Sequence, residues 1–340
     1  MNRGSANVLL RRNAPYVLGL RACLQPLACG NTVVLKGPEF SPATFWAIAS
    51  VLHDAGLPAG CLNTIYRRPG EDAVKVTNAL ISSPTVKKIN FTGSTPVGSI
   101  IASLAGKNLK PVVMELGGKA PSIVCEDADV GNAAFQCALG AFLHSGQICM
   151  SSERIIVHKN IVEKFKESFK GAVDQVFGGE GRDAPILVTS PAVEKNKRLI
   201  KDAVSKGAKA IYGDPDANDG SKTRMRPVVV AGVKEDMDLY YTESFGPTVS
   251  MITVDSDEEA IKIANDTEYG LSSAVFTEDL RRGLRIAKQI ESGAVHINSM
   301  TVHDEAALPH GGVKKSGWGR FNGWEGLSEW VRTKTVTWKD

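Results

Sequence analysis

An alternation that starts at Asn13 constrains this chain more than any other feature: an apolar helical stretch, a short β-branched run, a few turn residues, then the same again. Asn13 and Pro15 open a helix that reaches about Cys29, where Gly30 is placed to stop it. A buried strand follows over 32–36. Ser41 and Pro42 start the next helix and Gly56 ends it. A strand over 62–66, a helix from Glu71 to Leu80, a strand over 88–92, a helix over 96–104 and a strand over 112–116 complete the series. Repetition of strand, helix and strand through such short loops implies a parallel sheet with right-handed crossovers. The carboxyl ends of its strands form a natural seat for a nucleotide.

A second α/β pattern follows the glycines at 117 and 118. Strands are expected at 121–125, 154–158, 209–212, 226–230, 248–254 and 294–298, with helices at 129–139, 161–177, 192–206, 257–265 and 279–290. The tail over 333–338 alternates like a strand and needs an edge to pair with, in this chain or in a neighbour. The expected division is therefore 1–117, 118–316 and a return segment with terminal strand over 317–340.

Composition narrows the function classes. With 43% apolar and 23% charged residues the balance is that of a globular protein, and a net charge of +3 from dispersed cations gives no polyanion-binding stripe. No apolar run has the roughly 18 residues of a membrane span, and Met1 to Leu10 do not build a secretory signal. The six cysteines show no paired or metal-ligating spacing, so reduced thiols in a cytoplasm are expected and no metal.

Five segments carry chemistry. Phe91 to Gly98 lies where a strand enters a helix; Gly93 and Gly98 would let the backbone turn tightly, and the free N–H groups beside Ser94 suit a phosphate. Taken alone, it equally reads as a plain strand–helix turn. Lys36 and Glu39 follow a strand where a ribose could lie, and the Glu39 anion disfavours a 2′-phosphate, yet an exposed ion pair is the commoner fate. Glu115 ends a strand before Gly117 and Gly118, so it could swing as a general base or simply face solvent before a turn. Cys149 sits among small polar residues, unlike Cys23, Cys29, Cys61, Cys125 and Cys137, and thiolate chemistry needs such access. Glu243 could hold a second ribose with Phe245 packing on a ring, or the pair could only turn the chain into the strand at 248.

Together these pieces resemble the aldehyde dehydrogenase superfamily over almost the whole chain. The matching segments, in family order, are Asn-Ala-Pro at 13–15, Gly-Asn-Thr-Val-Val-Leu-Lys at 30–36, Phe-Thr-Gly-Ser at 91–94 and Glu-Leu-Gly-Gly-Lys at 115–119. Gly-Gln-Ile-Cys at 146–149, Glu-Ser-Phe-Gly-Pro at 243–247 and Gly-Gly-Val-Lys-Lys-Ser-Gly at 311–317 complete the set.

The resemblance implies an α/β fold with a Rossmann-type cofactor domain, a second α/β catalytic domain and a C-terminal oligomerisation strand. It implies that Cys149 attacks an aldehyde, that the Asn13 amide and the Cys149 N–H form the oxyanion hole, and that Glu115 activates the hydrolytic water. Lys36 and Glu39 would bind the adenine-side ribose, Ser94 with Gly93 and Gly98 the pyrophosphate, Glu243 the nicotinamide-side ribose, and Phe245 the nicotinamide pocket. NAD is the expected cofactor, with NADP the alternative, and a homodimer or homotetramer the expected assembly. Family members carry a further segment ahead of the oxyanion Asn, and an aromatic where Arg12 stands here. A catalytically silent homologue with a binding or scaffolding role is therefore the competing expectation. Many members also carry a Glu that assists proton relay where this chain has Phe321. The Trp-Gly-Arg-Phe run at 318–321 resembles the benzaldehyde, vanillin and salicylaldehyde group, which points to an aromatic aldehyde.

Overall fold

The structure is a computed structural model that describes all residues except 1–4, 10–12, 67, 69, 71, 179–182 and 218–219. Arg12 and Glu71, both used above, lie outside the described residues. The chain divides into two compact units.

The first unit comprises Met1–Leu116, Asp304–Gly311 and Gly317–Asp340. Its elements are β1 (Ser5–Leu9), α1 (Pro15–Ala28), β2 (Thr32–Lys36), α2 (Pro42–Asp54), β3 (Leu62–Ile65), α3 (Asp72–Ser82), β4 (Val86–Thr92), α4 (Thr95–Lys107) and β5 (Val112–Glu115). The sheet runs β3-β2-β1-β4-β5, all parallel, so the strand order reverses direction beside β1. The carboxyl ends of β1, β2, β4 and β5 therefore share one edge. Prolines at the first turns of α1, α2 and α4 supply a preset φ where a missing N–H is harmless. Ile89, Phe91, Ile101, Met114 and Leu116 form one side of its core; Leu18, Cys23, Val33, Leu35 and Phe45 form another.

The second unit comprises Gly117–His303 and Gly312–Ser316. It contains β6 (Ala120–Val124), α5 (Val130–Phe142), β7 (Ser152–His158), α6 (Val162–Phe177), α7 (Ser190–Ser205), β8 (Lys209–Tyr212), β9 (Val228–Ala231), α8 (Asp238–Tyr241), β10 (Thr248–Val254), α9 (Asp257–Asn265), β11 (Ser273–Phe276), α10 (Leu280–Ala287) and β12 (Val295–Ile297). Its sheet has the order β12-β11-β6-β7-β10-β9-β8, parallel except for β8. Every side chain of β7 is buried, as a central strand covered on both faces requires.

The return to the first unit adds β13 (Gly317–Trp318), antiparallel to β5, and α11 (Gly323–Ser328). Three features differ from expectation. Asp304–Gly311 joins the first unit, not the second. β1, β11, β13, α8 and α11 were not expected. The tail over 333–338 forms no strand, and its residues are exposed, because it finds no sheet edge in this chain.

Candidate active site

In the first unit, Lys36, Ser94 and Glu115 lie at or just beyond the carboxyl ends of strands that share one sheet edge. An open parallel sheet binds ligands outside these carboxyl ends, where strand order switches. Ser94 is the residue before α4, and its side chain makes no capping bond. The start of a helix carries N–H groups without an intrahelical acceptor, which suits an anion. The glycines have a different reason from the one expected: neither Gly93 nor Gly98 has a positive φ. A Cβ on Gly98 would lie 2.5 Å from Leu116 Cδ2, and one on Gly93 would lie 2.1 Å from the Phe91 ring. Gly98 lets α4 press onto the sheet, and Gly93 leaves room for a ring.

Lys36 Nζ donates to Glu39 Oε1 at 2.9 Å. Asn13 is buried just ahead of α1. Glu115 is completely buried, so it is not the solvent-facing residue before a turn that the sequence left as one alternative. Arg21 of α1 forms an ion pair with it, and β13 pairs its backbone.

In the second unit, the Cys149 loop, Gly117-Gly118 and the 243–247 turn converge. The chain ahead of Cys149 passes through three successive left-handed residues, His144 (φ 52°), Ser145 (φ 59°) and Gly146 (φ 68°). A Cβ on Gly146 would lie 2.1 Å from the Gly246 carbonyl oxygen, so the loop rests directly on the 243–247 turn. Gln147 pins it further: its Nε2 donates to the His144 carbonyl at 3.2 Å and its Oε1 accepts from Val188 N–H at 2.8 Å. A Cβ on Gly118 would lie 2.2 Å from the Cys149 carbonyl oxygen, so no other residue fits there undisturbed. The Gly118 N–H donates to Glu243 Oε1 at 2.9 Å.

The residue that organises this region is Glu153, which the sequence did not single out. Its buried carboxylate accepts from the Ser244 N–H (2.8 Å), the Ser244 hydroxyl (2.8 Å) and the Phe245 N–H (3.0 Å). Those bonds hold Phe245 at φ 49°, a strained conformation for an aromatic residue. Lys119 Nζ, fully buried, donates to Glu153 Oε2 and the Thr242 carbonyl, each at 2.8 Å. Burial pushes the Lys119 ammonium below its ordinary value, and Glu153 opposes that shift.

Among the thiols, burial pushes Cys23 and Cys125 up to about 12 and raises Cys137 as well, which makes them inert. Cys149 keeps partial exposure. Among the described residues, no group of three or more His, Cys, Asp or Glu side chains is placed to hold a metal, and no helix is long and apolar enough to cross a membrane.

Residues 4–336 match the aldehyde dehydrogenase family, and the chain belongs to that family of enzymes. It is 45% identical over 329 residues to vanillin dehydrogenase of Pseudomonas sp. strain HR199, covering 96% of this chain and 67% of that protein. It is 43% identical over 330 residues to salicylaldehyde dehydrogenase of Pseudomonas sp. strain C18, with the same two shares. The crystal structure of a salicylaldehyde dehydrogenase from Pseudomonas putida G7 complexed with salicylaldehyde superposes with a TM-score of 0.90 at 42% identity, over 96% of this chain and 67% of that one.

Proposed function

We propose that this chain oxidises an aromatic aldehyde to its carboxylic acid with NAD, through a covalent intermediate on Cys149. The observation that carries the reading is the convergence in the second unit: the Cys149 carbonyl packed on Gly118, whose N–H anchors Glu243. Such a loop presents a thiol from a rigid support, as covalent catalysis requires. The aromatic substrate class rests on the vanillin and salicylaldehyde dehydrogenases that the chain resembles.

Cys149 Sγ forms a bond to the aldehyde carbon, and the carbonyl oxygen takes the electron pair. The Asn13 amide and the Cys149 N–H stabilise that oxyanion. NAD, held by the residues named below, would supply the hydride acceptor through which the adduct on Cys149 becomes a thioester. Glu115 removes a proton from the water that hydrolyses the thioester. Ser94 and the α4 N-terminus would receive the pyrophosphate, Lys36 and Glu39 one ribose, Glu243 the other, and Phe245 the nicotinamide. The Glu39 carboxylate repels a 2′-phosphate, which favours NAD over NADP.

The test is NADH formation with benzaldehyde-type substrates. Cys149→Ala should lose about 10³-fold or more, and Asn13→Ala about 100-fold in kcat. Protein that binds NAD yet oxidises no aldehyde would contradict the reading and favour a silent, binding role.

A further inference from the structure

The buried Glu115 carboxylate has neighbours in the first unit that the reaction above does not use. On one side, Arg21 donates to Oε2, and its second terminal nitrogen reaches Asp304 Oδ2 at 2.9 Å. The Arg21 guanidinium lies 4.6 Å from the centroid of the Phe321 ring. On the other side, His310 places Nε2 3.8 Å from Glu115 Oε2. Two backbone bonds with Phe321, of 2.8 and 2.7 Å, fix the chain that carries the imidazole. The ring is 92% buried by side-chain accessibility, that is, 8% exposed, and Nε2 makes no hydrogen bond among the described residues. A buried polar atom left in that state is costly, so its position beside a carboxylate calls for a use.

We propose that His310 is the relay residue that takes from Glu115 the proton of the hydrolytic water. The inference rests on the function proposed above and adds to it. Arg21 cannot serve, because a guanidinium neither accepts a proton nor gives one up. It pairs with Glu115 in the anionic form and favours the return to that form. Asp304 lies beyond Arg21. Phe321 occupies the position where many family members carry a carboxylate, and its ring cannot move a proton. The imidazole directly across the backbone bridge from Phe321 can.

In the step, the water oxygen bonds to the thioester carbon while its proton passes to Glu115. The C–S bond then breaks, and its electron pair leaves on Cys149 Sγ. Glu115 transfers the proton to the neutral Nε2 of His310 and reverts to the carboxylate paired with Arg21. Solvent takes the proton from the imidazolium before the next turnover, and no oxidant or reductant is consumed.

Nε2 approaches Glu115, from β5, within ion-pair distance, and Glu115 in turn pairs with Arg21 of α1.

4-Nitrophenyl benzoate separates the steps without cofactor: acylation of Cys149 releases a nitrophenolate burst, and the later linear phase reports hydrolysis of the thioester. His310→Gln should leave the burst rate within about twofold and slow the linear phase about tenfold. A glutamine keeps a polar side chain at this position but cannot take up a proton, so it would preserve a purely structural role and not a relay. His310→Asn, checked by thermal unfolding, should give the same pattern should the Gln variant fold poorly. A linear phase that keeps the unaltered rate, or burst and linear phases falling together, overturns the relay. If acid quenching and peptide mapping find no benzoyl group on Cys149 of the unaltered chain, the thioester itself is absent, and the proposed function falls with the relay.

Discussion

Gly118 is the residue on which the nucleophile loop closes. A Cβ there would meet a backbone carbonyl, that of Cys149, at 2.2 Å, and a backbone atom cannot step aside as a side-chain tip can. Gly118→Ala should therefore lower the melting temperature, by about 1–3 kcal/mol of stability, and reduce turnover at least about tenfold by moving Cys149. Gly106 in α4 has nothing within 4 Å of such a Cβ, so Gly106→Ala should be neutral or stabilise by about 0.5–1 kcal/mol. Thermal unfolding and NADH production on both variants check the contrast, and equal behaviour would contradict it. At this scale the sequence announces which residues are unusual but not why. Gly93 and Gly98 stand out as phosphate-loop glycines, yet their necessity is space for Phe91 and Leu116. Glu153, Arg21 and His310 give no local signal, because their partners are distant in sequence: 91 positions from Glu153 to Ser244 and 94 from Arg21 to Glu115.

Elements of the second unit are tied by buried charge. Arg154 of β7, without any exposed surface, donates to the carbonyls of Ile263 (2.9 Å), Ala264 (3.0 Å) and Asp266 (3.1 Å), closing the C-terminus of α9. A cation there also complements the helix dipole. Burial lowers Arg154 to about 10, which still leaves it charged at neutral pH.

The start of α9 is bound to α10 through Arg282, which grips Asp257 at 2.7 and 2.8 Å and Asp127 at 2.9 Å. The hydrogen bond from Arg282 is the main reason that the Asp257 carboxyl is held below its ordinary range. A depressed folded-state pKa gives stability that is present above the unfolded value and lost as pH falls through the folded one. Asp257→Asn should therefore lose about 1–3 kcal/mol at pH 7. The gap from the unaltered chain should close below about pH 4. Denaturant melts at the two pH values measure it, and a gap independent of pH would be contradictory.

The long helices and buried strands were legible from periodicity. β11 was not, because its run from Ser272 to Phe276 begins with small polar residues whose strand state comes from flanking β6 and β12. β13 and α11 are too short to show a period, and β1 lies in a segment with little apolar patterning.

For the whole molecule, the two α/β sheets follow from the order of strands and helices, and the turn from one unit to the other at Leu116–Gly117 coincides with a glycine pair. The return of 304–311 to the first unit was hidden, since pairing between His310 and Phe321 depends on the fold already formed. The tail keeps Val336 81% and Trp338 87% exposed while alternating in strand fashion. We propose that this segment pairs with a sheet edge of another copy. Deleting residues 333–338 should lower the oligomeric mass seen by light scattering and leave NAD binding intact; an unchanged mass would assign the contact elsewhere.

The proposed oxidation passes through an acyl group on one sulfur, that of Cys149. Glu115→Gln protein mixed with benzaldehyde and NAD, quenched in acid and mapped by peptide mass spectrometry, tests it most directly. A benzoyl group on Cys149, formed together with about one equivalent of NADH per chain, is the predicted result. NADH release with Cys149 unmodified, or a benzoyl group on another cysteine, would contradict the account.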